Sequence, residues 1–382
     1  MIKPLQYHAV NWVDGMKISR EHLVHQENFV IDLLRDANSI PINALNYGLL
    51  PATEKYGDKN LYEIHNTATN DAQLVIKKCT AVTLAGHRIE LTDYKVNIRS
   101  LAKEMTGATQ EEAEGVYYIL ASVNPFEKIP FGDIDSEEIP PRHPFTQPSH
   151  RIELVDVSVL NGSFSGGNYL VLGKVAIKSG IAQIDSNFIP PCTAVESHPK
   201  LMEYHGSFSS ALGNIRQSAF KIIQKTSHKN QNNVMADNVK TMCRTIIRHT
   251  GENYFQLKNM VPVQPPVVMM NIFAKLALHL YNDTQMMVQA ELEELLNYSM
   301  EWSEISPHTL LNQLSTVAEI NYDHHNTGED FFNISQLLKS LEHIFGKLSD
   351  LDYIGQRKEN IIVNEQEVKS TNDPKKGWSV ID

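Results

Sequence analysis

Halfway along this chain the spacing of apolar residues changes from every second position to every third or fourth. A strand buries alternate residues and a helix buries one face of a 3.6-residue repeat, so one layer of structure cannot serve both patterns. The change falls at FIPPC, Phe188 to Cys192. Before it, AQLVIKK, TAVTLAGHRIEL, GVYYILASV, HRIELVDVSVL and NYLVLGKVAIKSGIAQID alternate and are rich in β-branched and aromatic residues. Gly, Asn or Asp bound these runs, which is how short antiparallel strands read. Ala85-Gly86 and Ser179-Gly180 read as tight hairpin turns. NPFEKIPFGDIDSEEIPPRHPFTQPSH is too long for such a turn and reads as a protruding loop. Residues 1–192 are therefore expected to form an antiparallel β-sandwich or barrel.

After Pro191 the pattern is helical. Phe208, Leu212, Ile215, Ala219 and Ile222 step by four and three, a heptad seam that needs a facing helix. Val239, Met242, Cys243, Ile246 and Ile247 mark a second helix, and QPPVVMMNIFAKLALHL a third, with Pro266 placed for its first turn. That third helix is apolar nearly all round, which places it in the middle of a bundle. MMVQAELEELLNYSM supplies a fourth. Ser306-Pro307 opens PHTLLNQLSTVAEI with an N-cap and a first-turn proline, and FFNISQLLKSLEHIFGKL follows. Residues 193–349 read as a helical bundle. The remainder, 350–382, alternates weakly (Ile361, Val363, Trp378, Val380) and reads as a short tail, strand or hairpin, too apolar-poor to fold alone. The expected fold class is thus α+β and multidomain.

Composition removes several functions. A formal charge of −11 over 382 residues opposes a nucleic-acid binder, which needs a basic face to neutralise phosphates. The opening MIKPLQYHAVNW lacks the apolar run of a signal peptide, and the most apolar window is broken by prolines, Gln264, Asn271 and Lys275. A cytoplasmic protein without direct membrane insertion is the expectation. Cys79, Cys192 and Cys243 lie far apart with no CxxC spacing, which argues for buried thiols in a reducing compartment.

His22 and His25 lie one helical turn apart behind Ser19, a good N-cap, on a helix whose Leu23, Val30 and Leu34 form one stripe; no further ligand is spaced to close a metal site. Asp323, His324, His325 and Asp330 form the densest His/Asp cluster, but in the wrong order for a His-Asp hydrolase. Glu291, Glu293 and Glu294 share one helix and cannot flank a scissile bond. No phosphate-binding, dinucleotide, nucleophile-elbow or zinc-protease motif occurs. The residues point to no enzyme, no cofactor and no metal.

The stretch VNWVDGMKISREHLVHQENFV resembles the opening signature of TssK, the baseplate subunit of bacterial type VI secretion systems. Val10, Trp12, Asp14, Gly15, Met16, His22 and Phe29 carry the likeness. NFIPPC resembles that family's hinge between β-domain and bundle. VQPPVVMMNIFAKLALHL stands where the family has His-Pro before a central helix, and NYDHHNTGEDFFNISQLLKSL resembles its Tyr-x-His segment. The resemblance spans residues 5 to 350. It implies a homotrimer with a β shoulder like that of phage receptor-binding proteins, a helical neck, and docking on the wedge proteins TssF and TssG. Family members carry a C-terminal head that reaches a membrane complex. Here only a short tail follows Leu348, as in a shortened, Bacteroidetes-type member, so a membrane-complex partner of other identity is implied at that end.

On this reading Trp12, Asp14, Gly15, Met16 and Lys17, with Phe126, Phe131 and Phe145 in the long loop, are the expected wedge contacts, and Trp378 a tail contact. Phe208, Leu212 and Ile215, with Leu337, Leu341, Ile344 and Leu348, are the expected seam of the bundle and trimer. A phage tail or receptor-binding protein shares the same plan, and a carbohydrate-active enzyme with a helical appendage is the more distant alternative.

Overall fold

A computed structural model of the chain describes residues 4–52, 61–66, 72–98, 100–101, 114–157, 167–178, 181–231 and 233–355. Two antiparallel sheets make up most of the N-terminal half. In one, β3 (Ala72–Val82) pairs with β4 (Arg88–Asn97) along its whole length, and also with β1 (Gly48–Leu49) and β2 (Tyr62–Asn66). In the other, the order is β6 (Phe145–Asp156), β5 (Gly115–Phe131), β7 (Tyr169–Lys178), β8 (Ile181–Ile184). The alternation in the sequence is the alternation in burial. Leu74, Ile76, Cys79 and Ala81 of β3 point inward, and Ile119, Ala121 and Val123 of β5 join the same core. The β3–β4 hairpin turns at Ala85-Gly86 as expected, with Gly86 at φ +83° and its N–H donating to the Thr83 carbonyl at 2.8 Å. β7 and β8 pair from Lys178 opposite Ile181; the intervening Ser179-Gly180 lies outside the described residues.

The long loop is mostly not a loop. β5 runs on to Phe131 and β6 begins at Phe145, with Phe131 opposite Phe145, so only 132–144 remain as the tip of a two-stranded arm. Prolines at 125, 130 and 148 made this stretch look unfit for a ladder. A register shift between Asn124 and Lys128 absorbs Pro125, and bulges and edges are where a strand tolerates a residue with no N–H.

One helix, α1 (Arg20–Asn38), precedes the sheets. The bundle follows β8: α2 (Pro199–His228), α3 (Val234–Asn259), α4 (Pro266–Gln285), α5 (Gln289–Ser303), α6 (Pro307–Ala318) and α7 (Gly328–Asp350). The start signal at Ser306 is realised: it caps α6 by accepting from Thr309 N at 3.1 Å. Asn233, unmarked in the sequence reading, caps α3 in the same way by accepting from Ala236 N at 2.6 Å. α4 contacts α3, α6 and α7, the central place its all-round apolarity requires. α2 and α7 form the most extensive helix pair. Phe208 meets Phe273 edge-on at 4.9 Å, and Tyr204 stacks on Phe331 at 5.4 Å. Phe208, Phe273 and Phe331, fully buried, each contribute about 1.5–3 kcal/mol of transfer free energy. At the far end, the Lys225 ammonium donates to the carbonyls of Leu348 at 2.6 Å, Ser349 at 3.0 Å and Leu351. A cation there satisfies the free carbonyls and opposes the negative end of the α7 dipole.

Candidate partner-binding surface and the joint between sheets and bundle

The N-terminal segment and the β5–β6 arm, far apart in sequence, form one surface. Residues 6–10 lie along α1: the N–H groups of Gln6 and Tyr7 donate to Asp32, the latter at 3.1 Å, and Val10 N donates to Gln26 Oε1 at 3.3 Å. Arg35 holds Asp32 at 2.8 Å and donates to the Pro4 carbonyl at 3.1 Å. Asp32, 1% exposed, is therefore a buried carboxylate fully occupied in tying this segment to the helix. Tyr7 packs on Phe126 at 4.7 Å and Glu27 pairs with Lys128, which brings α1 against the arm.

This packing uses the polar side of α1. Its buried residues are Asn28 and Asp32, whereas Leu23, Val30, Leu33 and Leu34 face solvent. The stripe legible in the sequence exists, and none of the described residues covers it. The arm also carries exposed apolar side chains, Phe131, Phe145 and, at the tip, Ile139 at 98%. Large apolar side chains left exposed on two elements that touch make this side of the chain a candidate protein-binding surface.

The expected contact residues fall as follows. Asp14 and Gly15 form a turn, Gly15 at φ +77°, closed by Met16 N donating to the Val13 carbonyl at 3.2 Å. Trp12 is 47% exposed and lies edge-on to His22 at 6.1 Å, Lys17 is exposed and Met16 half-buried. Phe126 is partly covered by Tyr7, while Phe131 and Phe145 face each other across the arm. Trp378 and the tail from residue 356 lie outside the described residues. The opening histidines have a plain role: His22 Nδ1 accepts from Ser19 N at 3.2 Å, closing the first turn of α1 as a capping-box partner would. Phe208, Leu212, Ile215, Leu337, Leu341, Ile344 and Leu348 are all buried within a single chain, in the α2–α7 interface and the core around it.

A second constellation, at the joint between sheets and bundle, was visible in the sequence only as a His/Asp cluster. Leu49 N donates to the Pro191 carbonyl at 2.8 Å, and Thr193 N returns a bond to the Leu49 carbonyl at 2.9 Å. Gly48, at φ +118°, lies so close that a Cβ would stand 2.0 Å from the Pro191 oxygen. Gly328, opening α7, is pressed against the Asn187 carbonyl, which a Cβ would approach to 2.3 Å. Val195 N donates to the Gln264 carbonyl at 2.9 Å. His324 Nε2 donates to the Tyr47 carbonyl at 2.8 Å, and Tyr322 donates to His324 Nδ1 at 2.6 Å. His325 meets the Tyr47 hydroxyl at 2.9 Å. Three of the four sequence landmarks thus converge on one joint. Tyr47 and Gly48 were missed, for their only signal was a glycine in an otherwise unmarked stretch.

Burial governs the electrostatics here. It lowers His324 and His325 below the usual histidine range and takes His198, the residue preceding α2, down to about 4. Burial beside Glu329 and Asp323 lifts Asp330 to about 6. These are signs of a packed polar joint. Among the described residues no group of three or more His, Cys, Asp or Glu side chains is placed to hold a metal ion, and none of their helices is long and apolar enough to cross a membrane.

No family model and no curated protein matches the sequence. Solved structures do. A chain of the baseplate complex from the type VI secretion system aligns at 13% identity over 88% of this chain and 99% of its own, with a TM-score of 0.52. A crystal structure of TssK aligns at 13% identity over 87% of this chain and 69% of its own, with a TM-score of 0.50. A chain of a TssK-TssF-TssG baseplate subcomplex aligns at 11% identity over 88% and 99%, with a TM-score of 0.48. The chain is structurally similar to the TssK baseplate protein, in fold rather than in sequence.

Proposed function

We propose that this chain is a non-catalytic baseplate component of a type VI secretion system, a trimeric, cytoplasmic adaptor between the baseplate wedge and a membrane-associated assembly. The observation that carries the reading is the shared order of β-sheets and bundle over nearly the whole chain, in company with the landmark residues at the joint. Residues 1–192 act as the shoulder, 193–349 as the neck, and 350–382 as the segment nearest the membrane-associated partner. The wedge partners are of the TssF and TssG kind. They engage the surface formed by Trp12 to Lys17, the outward stripe of α1 and the arm bearing Phe131 and Phe145. Three copies of one such surface multiply modest contacts into avidity. Because the residues of the α2–α7 seam are already buried within one chain, self-association uses other faces of the neck.

Light scattering of the full-length protein across a dilution series tests the assembly: a mass of three chains at every concentration supports the reading, and a monomer throughout overturns it. Co-purification with co-expressed wedge proteins of the TssF and TssG kind tests the role. Leu34→Ser with Phe145→Ser should abolish co-purification while leaving the assembled mass unchanged.

A further inference from the structure

The histidine that bridges the two halves is committed to one protonation state by its neighbours. His324 is 4% exposed. Its Nε2 lies 2.8 Å from the Tyr47 carbonyl, which can only accept, so Nε2 carries a hydrogen. Its Nδ1 lies 2.6 Å from the Tyr322 hydroxyl and, in the neutral ring, accepts that proton. A second proton on the ring would set two donors against each other across this short contact. The Tyr322 hydroxyl would have to turn its own proton into the buried interior, where a hydroxyl without a partner costs about 1–3 kcal/mol.

The groups that surround the site do not readily host a cation. Tyr47 presents its carbonyl and its ring, the latter 4.9 Å from the imidazole. His325, stacked near Tyr169 of β7, adds a second imidazole beside it. Cys192 lies beside Tyr322, and burial keeps that thiol protonated. The carboxylates in range are Asp323 on the same loop and Asp330 on α7. Asp323 accepts from the His325 backbone N–H at 2.9 Å, and Asp330 is itself held partly protonated near neutrality by burial. Burial depresses His324, and the Tyr47 carbonyl and Asp323 offset this only in part.

We propose that His324 is a proton-operated latch between the sheets and the bundle: neutral, its ring is held by Tyr47 on one side and Tyr322 on the other, and protonated, it breaks with Tyr322, leaves a cation buried in the joint and loosens it. What gives way is local. Tyr47 leads directly into Gly48 and Leu49, whose bonds to Pro191 and Thr193 form the rest of the joint. Neither the α2–α7 core nor the outward surface of α1 contains the latch. The proposal does not depend on which partners the protein binds.

Hydrogen exchange of the full-length protein, corrected for the intrinsic effect of pH, reads the latch directly. On going from about pH 7.5 to about pH 5, protection at residues 47–50 and 320–327 should fall about tenfold, while that of 208–222 and 337–348 holds. His324→Gln, whose amide can donate to the Tyr47 carbonyl and accept from Tyr322, should keep its protection at both pH values. Unchanged protection in the wild type overturns the proposal, as does a uniform loss across both halves. Equal acid loosening in His324→Gln overturns it too. Should that variant not fold, His325→Gln decides: the acid response must persist there, and its disappearance would assign the effect to the other ring.

Discussion

Helices α1 and α7 carry apolar stripes of the same helical spacing, and they end in opposite environments. Leu337, Leu341, Ile344 and Leu348 of α7 are buried against α2 and its neighbours, while Leu23, Val30 and Leu34 of α1 face solvent. The difference lies in what else each helix offers. The other side of α1 carries Asp32, Gln26 and Asn38, which satisfy backbone groups of residues 6–10 and of Gly86. That side is held by hydrogen bonds and ion pairs, and among the described residues nothing covers the apolar stripe. A period in the sequence says that a face exists; it does not say whether the same chain or another one covers it.

That contrast can be tested by a graded series of perturbations. The largest effect is expected in the bundle, where Phe208→Ala should cost about 3–5 kcal/mol by urea unfolding, because Phe273, Phe331 and Tyr204 cannot all collapse into the space. A loss under 1 kcal/mol would mean the seam is looser than its burial implies.

Acid comes next. His198 and His249 are both held down to about 4, against about 6.5 when unfolded. Their neutral forms therefore contribute stability that is fully present above about pH 6.5 and is lost as pH falls toward about 4, a few kcal/mol in all. Asp330 works in the opposite sense. Its folded value of about 6 penalises the ionised state above that pH, and the penalty is relieved as pH falls. Urea midpoints measured from pH 7.5 to pH 4 should decline across this window. Midpoints that stay flat would remove the burial argument for these histidines.

Gly48→Ala should cost about 1–3 kcal/mol from backbone strain alone, with the Pro191 oxygen adding overlap. A variant as stable as the wild type would show that the joint yields easily. The smallest change belongs to the outward surface: Leu34→Ser or Phe145→Ser should move stability by no more than about 0.5 kcal/mol, while capture of the wedge partners is lost. Marked destabilisation by Leu34→Ser would mean that the stripe is covered within the chain after all.

The parts of the fold governed by local rules were readable in advance. Period-2 runs became β3 to β7, and Ser306 and Pro266 began helices for the reasons that make them good starters. Prolines misled at the arm, because a proline forbids a ladder bond only where its N–H would have been used, and the bulge after Asn124 removes that need. The outward face of α1 was hidden for a different reason. Its periodicity is intact, and its partner surface is a matter of tertiary placement. The joint was half visible: the His/Asp cluster stood out by composition, but Tyr47 bonds to it from 277 residues away, beyond the reach of any local pattern. The packing of Tyr7 on Phe126, which brings the N-terminal segment against the arm, joins residues 119 positions apart and leaves no local signal in the sequence.

The span of the joint has a consequence for how the molecule is made. Thr193 meets Leu49 across 144 positions, and His324 and His325 meet Tyr47 across 277 and 278, so these contacts close very long loops. Closing them carries an entropic cost that local hairpins and helical turns do not bear. During synthesis Tyr47 and Gly48 emerge first and wait, their partners still unmade, until nearly the whole bundle has left the ribosome. The attachment of one half to the other is therefore a late event in the life of each new chain, and a polypeptide truncated before Asn321 would have both sheets and most of its helices yet lack His324, the bond donor that fixes how they are joined.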